Sequence, residues 1–398
     1  MKSSIYIEKI EYYIESWNNK EFEPLSSNKI PYYNKLNLFW RLRHRVNKFF
    51  KNLSSQPKVN LKDLSEDHHL MRLLDLWLGV NASEFSSSIQ GSYVNSTEDF
   101  VNRVKSRWPD MTDENIFQAL RNVWIMNLIQ VIAETSVVLT DSMFAYSMLY
   151  PLTDNIMDSV AISKSEKQDF VERLEKRLKG ESILPVLPEE IDIYSMIDLI
   201  EAQYDRHTHP KIYDSILEIH YAQSESLKQQ YEPMEIGDLI HTTFRKGAAS
   251  VIADGYLVMG DLNSKWLDFL CGYGIVLQLA DDLQDMAEDE ANHHKTLFSS
   301  TLDPETLSHD TQKLIQLSRQ TLRFMPCKSS WLKSQIMSLI NRSMQFLISD
   351  AIHNHRSKFP KPFYKEYDKF HPIGLKNHSK LKVLCGSLME NIKPKVTY

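Results

Sequence analysis

Carboxylates crowd the stretch Asp281-Asp282-Leu283-Gln284-Asp285-Met286-Ala287-Glu288-Asp289, which follows the apolar run Tyr273-Gly274-Ile275-Val276-Leu277-Gln278-Leu279-Ala280. Steps of three and four residues separate Gln278, Asp281, Asp285 and Asp289, which places them on one face of a predicted helix. Like charges one turn apart repel, and carboxylates at a helix C-terminus oppose the helix dipole. A hard divalent cation would relieve both penalties, and an all-oxygen donor set suits Mg2+ rather than Zn2+. A solvated acidic helix end would carry the same residues, so the stretch gains chemical meaning only from partners elsewhere in the chain.

Two further groups supply such partners. Tyr150-Pro151-Leu152-Thr153-Asp154-Asn155-Ile156-Met157-Asp158 sets Asp154 and Asp158 one turn apart after the apolar stretch Val137 to Tyr150. Two acidic helix ends facing one another would hold a cluster of Mg2+ ions, and with it a diphosphate. Between them in sequence lies His241-Thr242-Thr243-Phe244-Arg245-Lys246-Gly247-Ala248-Ala249-Ser250. Its Arg245 and Lys246 are candidate phosphate contacts, and its small residues permit close approach of a neighbouring helix. His293-His294-Lys295-Thr296-Leu297 adds Lys295 as another candidate cation.

Taken in order, these segments resemble the class I isoprenoid synthases: trans-prenyltransferases, squalene/phytoene synthases and class I terpene cyclases. Leu277 to Asp285 is similar to the second metal motif of the prenyltransferases, aromatic-Gln-x-x-Asp-Asp-x-x-Asp, with Leu in the aromatic position. Lys246-Gly247-Ala248 resembles their diphosphate-binding Lys-Thr-small segment. His294-Lys295-Thr296-Leu297-Phe298 looks like their Gly-Lys-x-Thr-(Leu/Tyr)-Pro segment, with the lysine offset by one. The resemblance covers roughly residues 115–300.

There are also departures. The first motif reads Asp-Asn-x-x-Asp, no Arg-Arg-Gly follows it, and the Gly-Gly-Lys-x-Arg-Pro segment that holds isopentenyl diphosphate is missing. The pattern is closest to bacterial terpene synthases of the prenyltransferase-like branch. The resemblance then implies an all-α fold: a single orthogonal helical bundle of the isoprenoid synthase type with a deep central cavity. It further implies a trinuclear Mg2+ cluster on Asp154, Asp158, Asp281 and Asp285, with Asp282 and Asp289 as further ligands. The diphosphate would be held by Arg245, Lys246 and Lys295, and Tyr150, Phe144, Tyr273, Gly274 and Gln278 would line the cavity. The implied reaction is ionisation of a prenyl diphosphate and cyclisation of the allylic cation. A trans-prenyl diphosphate synthase, a squalene/phytoene-synthase-like condensing enzyme and a non-catalytic member of the fold are the alternatives. A helical phosphohydrolase of the HD type would draw on Asp67-His68-His69 and His309-Asp310, but these do not assemble into the order that site needs.

The elements that must position these residues are helical by composition. Only 11 of 398 residues are Gly, well under the usual ~7% and too few punctuators for sheets and hairpins. Thr112-Asp113-Glu114 has N-cap chemistry, with apolar spacing of three and four from Asn115 to Ser136. Lys164 to Lys179 reads as an amphipathic helix stopped by Gly180. Helical pattern resumes through Ile200, Ile212–Gln230, Ile236–Asp261, Trp266–Asp289 and Leu332–Ile352. Residues 52–66, 81–98 and 181–192 read as connections, and the whole as one array of ten to fourteen helices over 1–398. N-terminal helices and loops occupy 1–110.

Charge is uneven. Residues 351–398 hold ten Lys/Arg against three Asp/Glu, an excess of +7, so the preceding 350 residues carry −13 of the net −6. This basic C-terminal region and the amphipathic stretch Trp40 to Lys51 raise the expectation of a weak contact with a membrane surface; no nucleic-acid partner is expected. Three scattered cysteines, a charged N-terminus and the absence of a long apolar run lead to an expectation of a cytoplasmic protein. Similarity to prenyltransferases makes a homodimer the expected assembly.

Overall fold

A computed structural model gives the architecture of residues 4–19, 30–56, 59–60, 76, 82–159, 161–226, 234–301, 303–392 and 396–397. The chain is all-helical there, apart from one parallel pair of two-residue strands. Strand β1 (Val59–Asn60) lies beside β2 (Val396–Thr397), with Val59 opposite Val396. In chain order the helices are α1 (Ser4–Asn19), α2 (Tyr32–Ser54), α3 (Ala82–Arg107), α4 (Asp113–Ile132), α5 (Asp141–Asp158), α6 (Lys164–Leu178), α7 (Pro188–Gln203) and α8 (Pro210–Ser226). They continue with α9 (Ile236–Met259), α10 (Ser264–Gln284), α11 (Met286–Ala291), α12 (Pro304–Arg323), α13 (Ser330–Asn354), α14 (Lys361–Phe370) and α15 (Leu375–Ile392). Among the described residues, no helix is long and apolar enough to cross a membrane.

Local signals set several boundaries. The Thr112 hydroxyl accepts from Asn115 N at 3.2 Å to start α4. Ser163 and Glu166 form a reciprocal capping box on α6, and Gly180 follows that helix at φ +88°. Two of the expected connections are shorter than composition implies. From Ala82 onward the Ser- and Asn-rich stretch 81–98 is the first part of α3. Phe100, Val101 and Val104 bury its C-terminal half, and Ser96 exchanges hydrogen bonds with buried Asn127 of α4; packing here outweighs a weak helix propensity. The connection after Gly180 ends at Pro188, which takes the first position of α7, where its missing N–H costs nothing.

Apolar side chains gather into one large core and a separate smaller one. The large core is centred on α9 and α10, packed along their length, with α8, α12, α4 and α1 around them. The smaller joins Phe39, Leu42, Val46, Phe49, Phe50 and Leu53 of α2 to Ile373 and Leu381 near and on α15.

The α9–α10 crossing has almost no clearance. A Cβ on Gly247 would stand 2.5 Å from the Gly274 carbonyl oxygen and 2.8 Å from Gln278 Cβ, and one on Gly274 would strike the Gly247 carbonyl. One end of the pair sets Gly255 against Leu270; the other sets Thr243 against Asp282. Residue numbers rise on one helix as they fall on the other, so the pair is antiparallel. Replacing Gly274 by Val forces the backbones apart and is expected to cost about 3 kcal/mol. A thermal melt checks this, and a Tm equal to that of the parent would show that the crossing tolerates a side chain.

Candidate functional site

α10 delivers its acidic end to the surface of the large core. Asn263 caps its start, accepting from Trp266 N, and from Trp266 to Leu283 nearly every side chain is buried. The expected unbroken helix through Asp289 is interrupted. Asp285 leaves helical geometry, and the short α11 begins at Met286, which is fully buried. The bend lets Met286 plug the core, while backbone bonds from Asp285 N to Asp281 O (2.9 Å) and Asp289 N to Asp285 O (2.8 Å) keep the one-turn spacing of the aspartates.

These residues open onto a polar pocket lined by Thr243, Lys246, Gln278, Asp281, Asp282, Asp285, Asp289, His294 and Thr296. The antiparallel crossing brings Thr243 and Lys246 over Gln278 and Asp282. Asp282, buried at the floor, accepts from Gln278 Nε2 at 2.8 Å and from Thr243 Oγ1 at 3.2 Å. The segment after α11 folds back as a wall. His294 N donates to Asp289 O at 2.8 Å, Thr296 Oγ1 donates to Asp289 Oδ2 at 3.1 Å, and Ser299 Oγ ties the loop to His294 O at 2.9 Å.

The second acidic helix end approaches the first. α5 carries Pro151 within it, and the hydroxyl of Thr153 donates back to the carbonyls of Leu149 and Tyr150 at 2.8 and 2.9 Å. Tyr150 lies between the two clusters. Desolvation raises its phenol above the ordinary range, and the charges of Asp154 and Asp281 both add to the rise while Arg121 opposes it. Arg121 of α4 donates to Asp281 Oδ1 at 3.0 Å. Asp154 is half-buried. Asp158 ends α5, but its side chain lies outside the described residues, as do Asp67, His68 and His69.

Several expected roles change. Arg245 does not reach the pocket: its Nε donates to Glu218 Oε1 of α8 at 2.7 Å, and its Nη1 to Glu225. Consecutive helical residues point about 100° apart, so when Lys246 faces α10 its neighbour must face α8. Lys295 is exposed, and the pocket wall is made by His294 and Thr296 instead; His293 at φ +56° turns the chain there. Phe144 is core packing, 5.5 Å from Phe100 and 6.4 Å from Trp108 between ring centroids, with Arg103 over its face. Tyr273 stacks on Phe269. The space beside Gly274 is filled by Gly247, so it leaves no room for a ligand. Gln278 does line the pocket, which is polar, and it also holds Asp282.

Arg121, Thr243 and Thr296 complete the site without having been singled out. Nothing in spacing links Arg121 to Asp281; Thr243 was legible only as one turn before Gly247. His309 and Asp310 sit together on α12, where Asp310 pairs with Lys313 at 3.6 Å.

Crowding and burial disturb the carboxylates. Burial pushes Asp282 up to about 7, against the Gln278 hydrogen bond and the Lys246 charge. Burial pushes Asp289 up to about 6; Asp285 and Asp281 add to this and the Thr296 bond opposes it. Asp285 is raised by burial and by Asp281 and Glu288. Among the described residues, no three His, Cys, Asp or Glu side chains converge closely enough to hold a metal ion by themselves. The carboxylate donors are strung along a helix edge, with Lys246 and His294 in the same lining. That set fits Mg2+ in the mode where a few carboxylates and water share the ion with substrate phosphate, rather than a protein cage.

Known protein families, curated proteins and solved structures were each compared with the chain, and none matches it.

Two measurements separate these roles. Arg245→Met strands Glu218 and Glu225, so it is expected to cost about 2 kcal/mol of stability without altering affinity for inorganic diphosphate in the presence of Mg2+; loss of that affinity at unchanged Tm would return Arg245 to the pocket. The Asp282 carboxyl, ordinarily at 3.8, is raised when folded, so the folded chain retains a proton that the unfolded chain releases. Its penalty therefore grows as pH rises from about 4 and is complete above about 7, on the order of a few kcal/mol. Asp282→Asn is expected to flatten the fall in Tm between these limits in metal-free buffer; an unchanged slope would show that Asp282 does not set it.

Proposed function

We propose that the chain is a Mg2+-dependent enzyme of the class I isoprenoid synthase type, which ionises a prenyl diphosphate and cyclises the resulting allylic cation. The observation that carries this reading is the pocket where Asp281, Asp282, Asp285 and Asp289 meet Lys246, with Asp154 and Tyr150 close by. Mixed charges of this kind suit a metal–diphosphate complex better than either ion alone. The all-helical architecture, with the acidic end of an apolar helix at its centre, supports the same class. The sequence resemblance supplies the isoprenoid nature of the organic group. Missing elongation segments favour cyclisation over chain growth.

In this reading Asp281, Asp285 and Asp289, joined by Asp154 of α5, would hold the metal. Bound Mg2+ would supply Lewis-acid neutralisation of the diphosphate charge. Lys246 places its ammonium at the pocket wall, where it stabilises a departing anion electrostatically. Gln278 and Thr243 keep the buried Asp282 oriented. Arg121 holds Asp281 in place through its ion pair, and divalent metal would compete with that pair. The loop from His294 to Ser299 shields one side of the pocket from water, which would otherwise quench a cation.

Incubation with Mg2+ and geranyl, farnesyl or geranylgeranyl diphosphate is expected to release diphosphate and yield an extractable hydrocarbon without added isopentenyl diphosphate. Asp285→Ala and Lys246→Ala are each expected to lower kcat/KM by about 100-fold or more. Turnover that strictly requires isopentenyl diphosphate would replace cyclisation with elongation. No turnover, together with no calorimetric binding of Mg2+ and diphosphate, would reduce the chain to a non-catalytic member of the fold.

A further inference from the structure

α2 carries Lys35, Arg41, Arg43, Arg45, Lys48 and Lys51 and no acidic residue. Its apolar side is spent on the smaller core, and Lys35 is buried there, donating to the backbone carbonyl of Asp368. Among the described residues nothing covers the opposite side. Tyr33, Asn37, Trp40, His44, Lys48 and Lys51 recur at steps of three and four and are all exposed, with Arg41 and Arg43 exposed beside them. Trp40 is 56% and Tyr33 75% exposed, and the Arg43 guanidinium lies 5.2 Å from the Trp40 ring centre. Among the described residues, Arg41, Arg43, Arg45, Lys48 and Lys51 form no ion pair with a carboxylate. The adjoining α15 exposes Lys376, Lys380, Val383 and Met389.

We infer that this face of α2, continued by α15, docks the protein on an anionic phospholipid surface. Clustered lysine and arginine are attracted to anionic headgroups within a Debye length. Exposed Trp and Tyr beside those cations suit the headgroup level, where an amphipathic ring has an apolar body and a polar edge to satisfy. The exposed Val383, on the same side of α15 as Lys376 and Lys380, favours a lipid surface over a nucleic acid, which offers such a side chain nothing along its phosphates. The rest of the chain is net acidic, so docking by one basic face also sets the orientation. This inference does not depend on the chemistry of the acidic pocket.

The test is co-sedimentation of the full chain with phosphatidylcholine vesicles, with and without phosphatidylserine. The expected result is binding only to phosphatidylserine vesicles, released at about 0.5 M salt where charges are screened within a few ångströms. The combined variant Arg41→Gln, Arg43→Gln, Lys48→Gln, Lys51→Gln is expected to bind at least about tenfold more weakly. Trp40→Ala is expected to weaken binding at unchanged charge. All five side chains are exposed, so thermal melts should coincide with that of the parent. Arg323→Gln at the end of α12, combined with Lys328→Gln in the connection to α13, is expected to bind as the parent does. Equal binding to pure phosphatidylcholine, parental binding by the four-site variant, or binding of RNA but not of vesicles would overturn the inference.

Discussion

A single methyl group at position 247 or 274 would hold α9 and α10 apart, and the acidic pocket depends on their not being held apart. Where two helices cross with backbone against backbone, the register between them has little freedom, because a side chain on either glycine would strike the other's backbone. Thr243 and Lys246 lie within about one turn of that contact, and Gln278 and Asp282 one and two turns beyond it. The hydrogen bond from Thr243 to Asp282 follows from the register, and the one from Gln278 joins it from the preceding turn of α10. The cost is that small residues at the crossing contribute little buried area; the long apolar faces of the same two helices provide it.

Around this crossing the structure tolerates concentrated negative charge. Asp282 is buried, yet both carboxyl oxygens have donors, which is the condition for placing such a group at a pocket floor. Asp289 is treated similarly by Thr296. Asp281 has an arginine from a different helix. The carboxylates are thus oriented but not neutralised, and burial together with mutual repulsion keeps three of them above their ordinary range. A pocket so poised favours any ligand that brings positive charge, and Lys246 gives an anion bridged by such a charge a second contact.

Charge is segregated on the scale of the molecule as well. The pocket gathers aspartates at one end of the large core, while the cations of α2 and α15 collect on the smaller core. Each set is held by helices whose apolar sides are already committed, so the charged sides are left facing outward. The two halves meet through α13, which touches both α10 and α15.

Much of this was legible in the amino-acid sequence because it is periodic or local. Scarce glycine, apolar steps of three and four, the Thr112 cap and the Gly180 stop announced helices, and the one-face spacing of Gln278, Asp281, Asp285 and Asp289 announced an acidic edge. Lys246 and Gly247 were marked by their small-residue surroundings. What periodicity does not encode is which side of a helix meets which neighbour. Hence the structure alone decided that Lys246 faces the carboxylates while Arg245 turns to Glu218. It decided too that Gly274 serves a helix crossing rather than a cavity, that Phe144 is core, and that Arg121, 160 residues away in sequence, pairs with Asp281. The polar opening of α3 belongs to the same class: its helix is held by packing at Phe100 to Val104, which no local rule supplies. Secondary structure answers to the residue's own neighbours in the chain; the partners of a side chain answer to the direction it points once the helices have packed.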